Sequence, residues 1–475
     1  MDPERRRALF GELQARASGH PGRAGPPRVA GPLGRSGEQL AGALADAFLA
    51  GEWSEAGLRE RGLLVLGRRR AWLRPVVAAV LRAYRDAPAD RPRELGAFVA
   101  VLPVFGEAVM AARRAGKPLK PLVRIAEPAH AVRWRWPVRP IDGLADLGQF
   151  LGLDPGELDW FADRHLLSRR AAGRRLRHYR YRWVPTRSGG VRLLEAPKER
   201  LKGAQRRVLA QVVALIPAHP AAHGFRPGRS VHTFAAPHAG QQVVVRLDLE
   251  GFFASVTAGR VYGVFRTAGY PEAVAHALTG LCTAPAPWSV LAVAPDASGV
   301  ERLEARRRLV ERLRVPHLPQ GAPTSPALAS LCAYRLDVRL AGLATRLGCT
   351  YTRYADDLAF SADSGLATGT LIAAVRDIAE SEGFRLNESK TAVMTSAHRQ
   401  RICGLVVNAR PAVARTEYDT LRAILHNAAR SGPESQNRAG HPDFRAHLLG
   451  RISWVEQSSA VRGGRLRETF GQIRW

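Results

Sequence analysis

Residues 351–360 read YTRYADDLAF, and two carboxylates, Asp356 and Asp357, stand side by side at the centre of an otherwise strand-like stretch. Adjacent like charges in a half-buried strand repel one another and lose hydration, so the pair requires water or a cation. A solvated hairpin tip would supply the water, and turns favour Asp on conformational grounds alone. A metal site would supply the cation. The ten residues by themselves are compatible with both, so the surrounding chain has to be read.

The chain has 475 residues and 46% hydrophobic content, enough for two or three domains with a true core. Its formal net charge is +29 and its isoelectric point about 11.3. Such an excess builds a field that collects polyanions, with nucleic acid the first expectation and an anionic membrane surface the second. The start, MDPERRRALF, lacks the apolar region of a signal peptide. The longest apolar run, GAFVAVLPVFG at 96–106, is broken by Pro103 and is too short to span a bilayer. A cytoplasmic protein without membrane association is expected. The four cysteines, Cys282, Cys332, Cys349 and Cys403, lie far apart with no CxxC or Cys/His cluster, which argues against zinc and disulfides and for buried small apolar groups. No glycine-rich phosphate loop, internal repeat or Ser/His/Asp pattern is present.

Residues 1–37 read as a flexible Gly/Pro/Arg-rich segment and 38–143 as a helical accessory domain. LADLGQFLGLDPGELDWFADRH at 144–165 has the look of two short helices joined near Asp154. After it, residues 164–183 (RHLLSRRAAGRRLRHYRYRW) hold eight arginines and no acid, interleaved with Tyr179, Tyr181 and Trp183. A charge run is commonly a solvated face. The interleaved aromatics and the overall charge favour a surface that tracks a nucleic-acid backbone and stacks bases, with Arg174, Arg175 and Arg177 in it. RYRWVPTRSGGVRLLEAP reads as a hairpin turning at Ser188-Gly189-Gly190, with an amphipathic helix behind it, and QQVVVRLDLEGFFASV as a buried strand ending at Asp248. From Thr324 a helix is predicted with Ser325 as N-cap, Pro326 first, and Leu328, Leu331, Cys332, Leu336, Leu340 and Leu343 on one face. This order suggests an antiparallel-rich α+β domain.

Asp248 supplies a third carboxylate that a sheet can bring to the edge where Asp356 and Asp357 lie. Mg²⁺ takes oxygen ligands, usually one or two carboxylates with substrate phosphates, and two such ions about 4 Å apart can serve an in-line displacement at phosphorus. With RLLEAPKERLKGAQRRVL, AHGFRPGRSV, LDLEGFFASV, PQGAPTSP, YTRYADDLAFS, GFRLNESKT and RICGLVVN in this order, the chain resembles the bacterial retron-type reverse transcriptases over about residues 144–430. The resemblance implies an α+β right-hand polymerase, with fingers and palm over 144–412, a helical thumb over 413–475 and the helical extension before them.

The same resemblance implies the roles. Asp248 and Asp356 would be the principal ligands of two Mg²⁺ ions, Asp357 would complete the triad, and Lys390 would be a general acid near the pyrophosphate. Phe253 would lie under the sugar of the incoming dNTP and exclude a 2′-hydroxyl by bulk. Gln320 and Gly321 would shape the nucleotide pocket, and Arg192 with Lys198 or Lys202 would meet triphosphate or template. Two family marks associated with the partner RNA are altered here: NAxxH reads Phe234-Ala235-Ala236-Pro237-His238, and VTG reads Ile402-Cys403-Gly404. The implied activity is RNA-directed DNA synthesis on a cognate structured non-coding RNA, primed from a 2′-hydroxyl of that RNA, in an antiphage system. The partners would be that RNA, its RNA–DNA product and an effector protein. Rival readings are a template-independent or group II intron-like reverse transcriptase and a non-catalytic RNA-binding scaffold.

Overall fold

The computed structural model describes residues 33–88, 91–123, 125, 134–163, 174–186, 190–295 and 300–475. The glycine- and proline-rich residues 1–32, the first half of the arginine-rich stretch at 164–173, and Ser188 and Gly189 of the expected turn lie outside the described residues. The chain divides into two compact units, Met1–Ala162 with Phe265–Leu278, and Asp163–Val264 with Thr279–Trp475.

The first unit is helical. Helices Gly34–Leu49, Glu55–Leu66, Leu73–Ala83, Pro92–Val101 and Pro103–Arg114 enclose a core that includes Leu40, Leu44, Phe48, Leu58, Val65, Val76, Val80, Leu95, Phe98 and Phe105. Leu40, Leu44 and Phe48 recur at the four-residue interval that puts them on one face. Prolines open the last two helices, where a missing N–H costs nothing. No single helix among the described residues is long and apolar enough to cross a membrane, and the pair around Pro103 is bent by 71°. Helices Leu144–Leu151 and Pro155–Ala162 are joined at Asp154, whose Oδ1 accepts from Glu157 N at 2.8 Å while Glu157 Oε2 accepts from Asp154 N at 3.3 Å, a reciprocal cap.

The second unit carries the sheets. Strands β1 (Tyr179–Pro185) and β2 (Val191–Pro197) form an antiparallel hairpin. Strands β3 (Val243–Asp248), β4 (Thr350–Tyr354), β5 (Asp357–Ala362) and β6 (Ala392–Thr395) make a sheet in the order β4-β5-β3-β6, antiparallel throughout. The short β7 (Arg401–Ile402), β8 (Leu405–Val406) and β9 (Ala412–Val413) make a third. Central β3 reads VVVRLD because both its faces are covered: Val244, Val245 and Leu247 are fully buried. The C-terminal helices Arg415–Ser431, Phe444–Ser458 and Ala460–Gly471 share one core, built on Leu421, Leu425, Leu448, Ile452 and Leu466, with Ile402, Leu405 and Val244.

Two local expectations need correction. The helix expected from Thr324 is two, Ser325–Cys332 and Tyr334–Arg346, hinged at Ala333, and the residue at the N-cap is Thr324 rather than Ser325. The break lets Leu328, Leu331, Leu336, Leu340 and Leu343 all reach the interior, whereas Cys332 is only partly covered. All four cysteines are free, but only Cys282 is buried.

Candidate active site

The carboxylates meet because the sheet register demands it. Asp248, the last residue of β3, stands opposite Asp357, the first of β5, and Leu249 N donates to Asp356 O at 2.9 Å. Between β4 and β5 the chain turns through Ala355, held at φ 57°, a left-handed conformation unusual for a residue with a side chain. The AHGF block holds that turn. His223 N donates to Arg353 O at 2.8 Å, and a Cβ on Gly224 would lie 2.7 Å from Ala355 N, so only glycine fits. From inside, buried Arg353 donates through Nη1 to Ala355 O at 3.0 Å while gripping Asp337 with two bonds of 2.7 and 2.6 Å.

Charge is concentrated here. Burial, then the charges of Asp248 and Asp357, push the Asp356 carboxyl up to about 6. Burial also raises Asp248, against the opposing pull of Lys390, whose Nζ donates to Asp248 Oδ2 at 2.9 Å. Burial alone would lower Lys390, but its bond to Asp248 and the three carboxylate charges outweigh it, so the ammonium is held protonated. Cys403 Sγ lies 3.2 Å from Asp357 Oδ2, and burial pushes this thiol up, keeping it a donor. Among the described residues no three His, Cys, Asp or Glu side chains form a ready-made metal cage. The donors are all hard oxygens crowded by their own repulsion, the set that suits a cation completing its shell with substrate phosphates. Asp248, Asp356 and Asp357 supply oxygens of the kind that Mg²⁺ takes.

Phe253 is partly buried, whereas its neighbour Phe252 is buried against Phe384. Its ring lies 6.2 Å from that of Phe225, which is 6.3 Å from Tyr354 in the hairpin. Phe225, 42% exposed and at φ 62°, went unassigned in the sequence although it stands in the AHGFRPGRS block. Gln320 and Gly321 are tied to β2: Glu195 N donates to Gln320 O at 2.8 Å, and a Cβ at Gly321, which has φ 133°, would meet Glu195 O at 3.1 Å. Glu195 and His317, both buried and 2.9 Å apart through Oε2 and Nε2, support this loop. Neither was singled out, since a charged pair separated by more than a hundred residues leaves no local signal. Arg192 is exposed on β2, Lys198 Nζ donates to Arg175 O at 2.8 Å, and Lys202 pairs with Glu199 at 3.3 Å.

The expected RNA contacts are partly overturned. His238 is fully buried, bonded at 2.7 Å to the hydroxyls of both Ser361 and Thr352, and burial drives it down to about 3, so it braces the sheet as a neutral ring and touches no solvent. Ile402 is likewise buried in the core of the C-terminal helices, Cys403 points to Asp357, and Gly404 supplies a positive φ of 85°. On β1 the alternation sends Arg180 and Arg182 outward, but Tyr179 is buried, and Tyr181 and Trp183 face the packed side with Trp183 Nε1 donating to Val290 O at 3.0 Å. These aromatics pack against the interior. Arg175 is exposed, Arg177 Nη2 donates to Ser289 Oγ at 2.9 Å, and the side chain of Arg174 lies outside the described residues.

Residues 184–418 match the family described as reverse transcriptase (RNA-dependent DNA polymerase). The chain is 44% identical over 300 residues to the retron Mx65 reverse transcriptase of Myxococcus xanthus, covering 62% of this chain and 64% of that one. It is 40% identical over 340 residues to the retron Mx162 reverse transcriptase of the same organism, covering 68% and 65%. Against the retron Ec86 reverse transcriptase of Escherichia coli it is 32% identical over 254 residues, 52% of this chain and 70% of that one. The matches thus span just under two thirds of the length of the two Myxococcus relatives.

Proposed function

Because the chain belongs to the bacterial retron-type reverse transcriptases, we propose that it is an RNA-directed DNA polymerase that copies part of a cognate structured non-coding RNA into single-stranded DNA. The observation that carries the reading is the register that sets Asp248 opposite Asp357 with Asp356 beside them, in a chain of net charge +29. The sheet β4-β5-β3-β6 is the palm on this reading, the β1/β2 hairpin and the helix behind it belong to the fingers, and the three C-terminal helices are the thumb.

In the proposed reaction a hydroxyl oxygen attacks the α-phosphorus of a dNTP. A phosphodiester bond forms as the bond to the bridging oxygen breaks, and pyrophosphate leaves. The first hydroxyl is a 2′-hydroxyl of the partner RNA and each later one the 3′-hydroxyl of the growing strand. Asp248, Asp356 and Asp357 would hold Mg²⁺, which when bound supplies positive charge to the attacking and leaving oxygens. Phe253, with Phe225 beside it, forms the wall that excludes a ribose 2′-hydroxyl. Gly224 lets the backbone of its block reach the turn that carries Asp356. Gln320 and Gly321, fixed through Glu195, would shape the pocket, and Lys390, bonded to Asp248, would act as general acid near the pyrophosphate. The protein would work in the cytoplasm in an antiphage system, with an effector protein as further partner.

Expressing residues 1–475 with the flanking genomic DNA and isolating the bound nucleic acid tests this. A single-stranded DNA joined to RNA at a branch, shortened by RNase and released with a free 5′ end by a debranching enzyme, is the expected product. DNA of random sequence would point to template-free synthesis, long intron copies to an intron enzyme, and RNA alone to a scaffold; each refutes the proposal.

A further inference from the structure

The arginine-rich stretch left a question open, since its own aromatics turn inward. The structure supplies an aromatic from elsewhere. Trp288 opens the helical turn Trp288–Leu291, and this turn is fixed from below: Val290 and Leu291 are buried in a cluster with Leu193 and Leu313. Trp183 Nε1 holds Val290 O at 3.0 Å, and Arg177 Nη2 holds Ser289 Oγ at 2.9 Å. On this mount Trp288 is 66% exposed, with the Arg314 guanidinium over its ring, 5.7 Å from the centroid. Val293, five residues on, and Val315, which follows Arg314, are 69% and 47% exposed.

The surroundings are cationic. Arg175 is exposed, and Lys198 bonds to its carbonyl at 2.8 Å. Burial first, and then the charges of Arg180 and Arg177, lower Lys198, a sign that the cations crowd one another. Glu304 and Glu311, on the helix that precedes Arg314, are paired with Arg308 at 3.8 Å and Arg307 at 3.4 Å. A rigidly held indole with a guanidinium against its face, on a turn bonded to Arg177, matches what a single nucleic-acid strand needs: a surface for a base and charges for its phosphates.

We propose that Trp288, framed by Arg314, Arg177 and Arg175, is a stacking platform for a base of single-stranded RNA. It accounts for a large apolar side chain left in water on an anchored turn, and it gives Arg175 and Arg177, which lead into β1, the aromatic partner that the strand itself withholds. The inference rests on the chain's handling RNA, as proposed above, but its test needs binding alone.

The full chain is titrated with a labelled homopolymeric RNA of roughly a dozen nucleotides and, in parallel, with a blunt RNA duplex. Trp288→Ala should weaken single-strand binding about five- to a hundredfold, Trp288→Phe should keep most of the affinity, and duplex binding should change less than about twofold. Arg175→Gln should reduce the slope of log K against log salt by about 0.7. The side chain is exposed, so melting of Trp288→Ala should match the parent; if it falls, the Phe variant still decides. Unchanged single-strand affinity would overturn the platform and leave this face to a protein partner. Equal losses on strand and duplex, or a Phe variant as weak as the Ala variant, would also overturn it. A chain without polymerase activity that still shows the Trp288-dependent difference refutes the proposed function and leaves the platform standing.

Discussion

Replacing Asp337 with Asn tests how the hairpin that carries the carboxylates is held. Arg353 and Asp337 are 1% and 0% exposed and share a two-pronged ion pair, and Tyr351 donates its hydroxyl to the same carboxylate at 2.8 Å. The amide keeps the shape but leaves the guanidinium buried without its counter-charge, which costs about 3–5 kcal/mol. An unfolding entropy of about 2.1 cal/mol/K per residue, over the roughly 300 residues of the second unit, is about 0.6 kcal/mol/K, so melting should fall by about 5–8 °C. The rate of primer extension should fall as well, because Arg353 also donates to Ala355 O, one residue before Asp356. A double variant, Asp337→Leu with Arg353→Met, separates the two effects. It should recover most of the melting temperature, as apolar replacements of buried pairs do, but not the rate, since Ala355 has then lost its donor. Melting of Asp337→Asn within about 1 °C of the parent would refute the reasoning, showing that the pair's attraction merely offsets its burial.

Asp356→Asn with Asp357→Asn should abolish primer extension while leaving melting no lower than the parent's, because the amides remove crowded like charge; undiminished extension would sink the assignment. Phe253→Val should raise incorporation of ribonucleotides relative to deoxyribonucleotides in single-nucleotide extension, and an unchanged preference would make Phe253 a packing residue only. Burial alone would lower His317, but the charge and hydrogen bond of Glu195 and the Val315 carbonyl raise it overall. Its folded value therefore exceeds the unfolded one, so the stabilisation is complete below about pH 6.5 and is lost as pH rises through the raised value. Melting temperatures of the parent should fall over that range more steeply than those of His317→Asn, and identical slopes would remove the pair from the account.

What was legible in the sequence is what short-range pattern encodes. The strand VVVRLD and the turn at Ala355-Asp356 each announce themselves within a few residues, because strand pairing and turns impose local chemistry. Burial set by distant partners does not. His238 looks like an RNA contact until Thr352 and Ser361 are found on its two nitrogens, more than a hundred residues away. The misreading of β1 is of another kind, because its alternation was visible: in a strand with one packed face, arginines at every second position force the intervening Tyr179, Tyr181 and Trp183 to the packed side. Interleaving of basic and aromatic residues is thus not by itself an argument for a stacking surface where one face of the strand is packed. In a strand it argues that the cations and the aromatics part company, and that any aromatic meeting the nucleic acid must come from another segment, as Trp288 does.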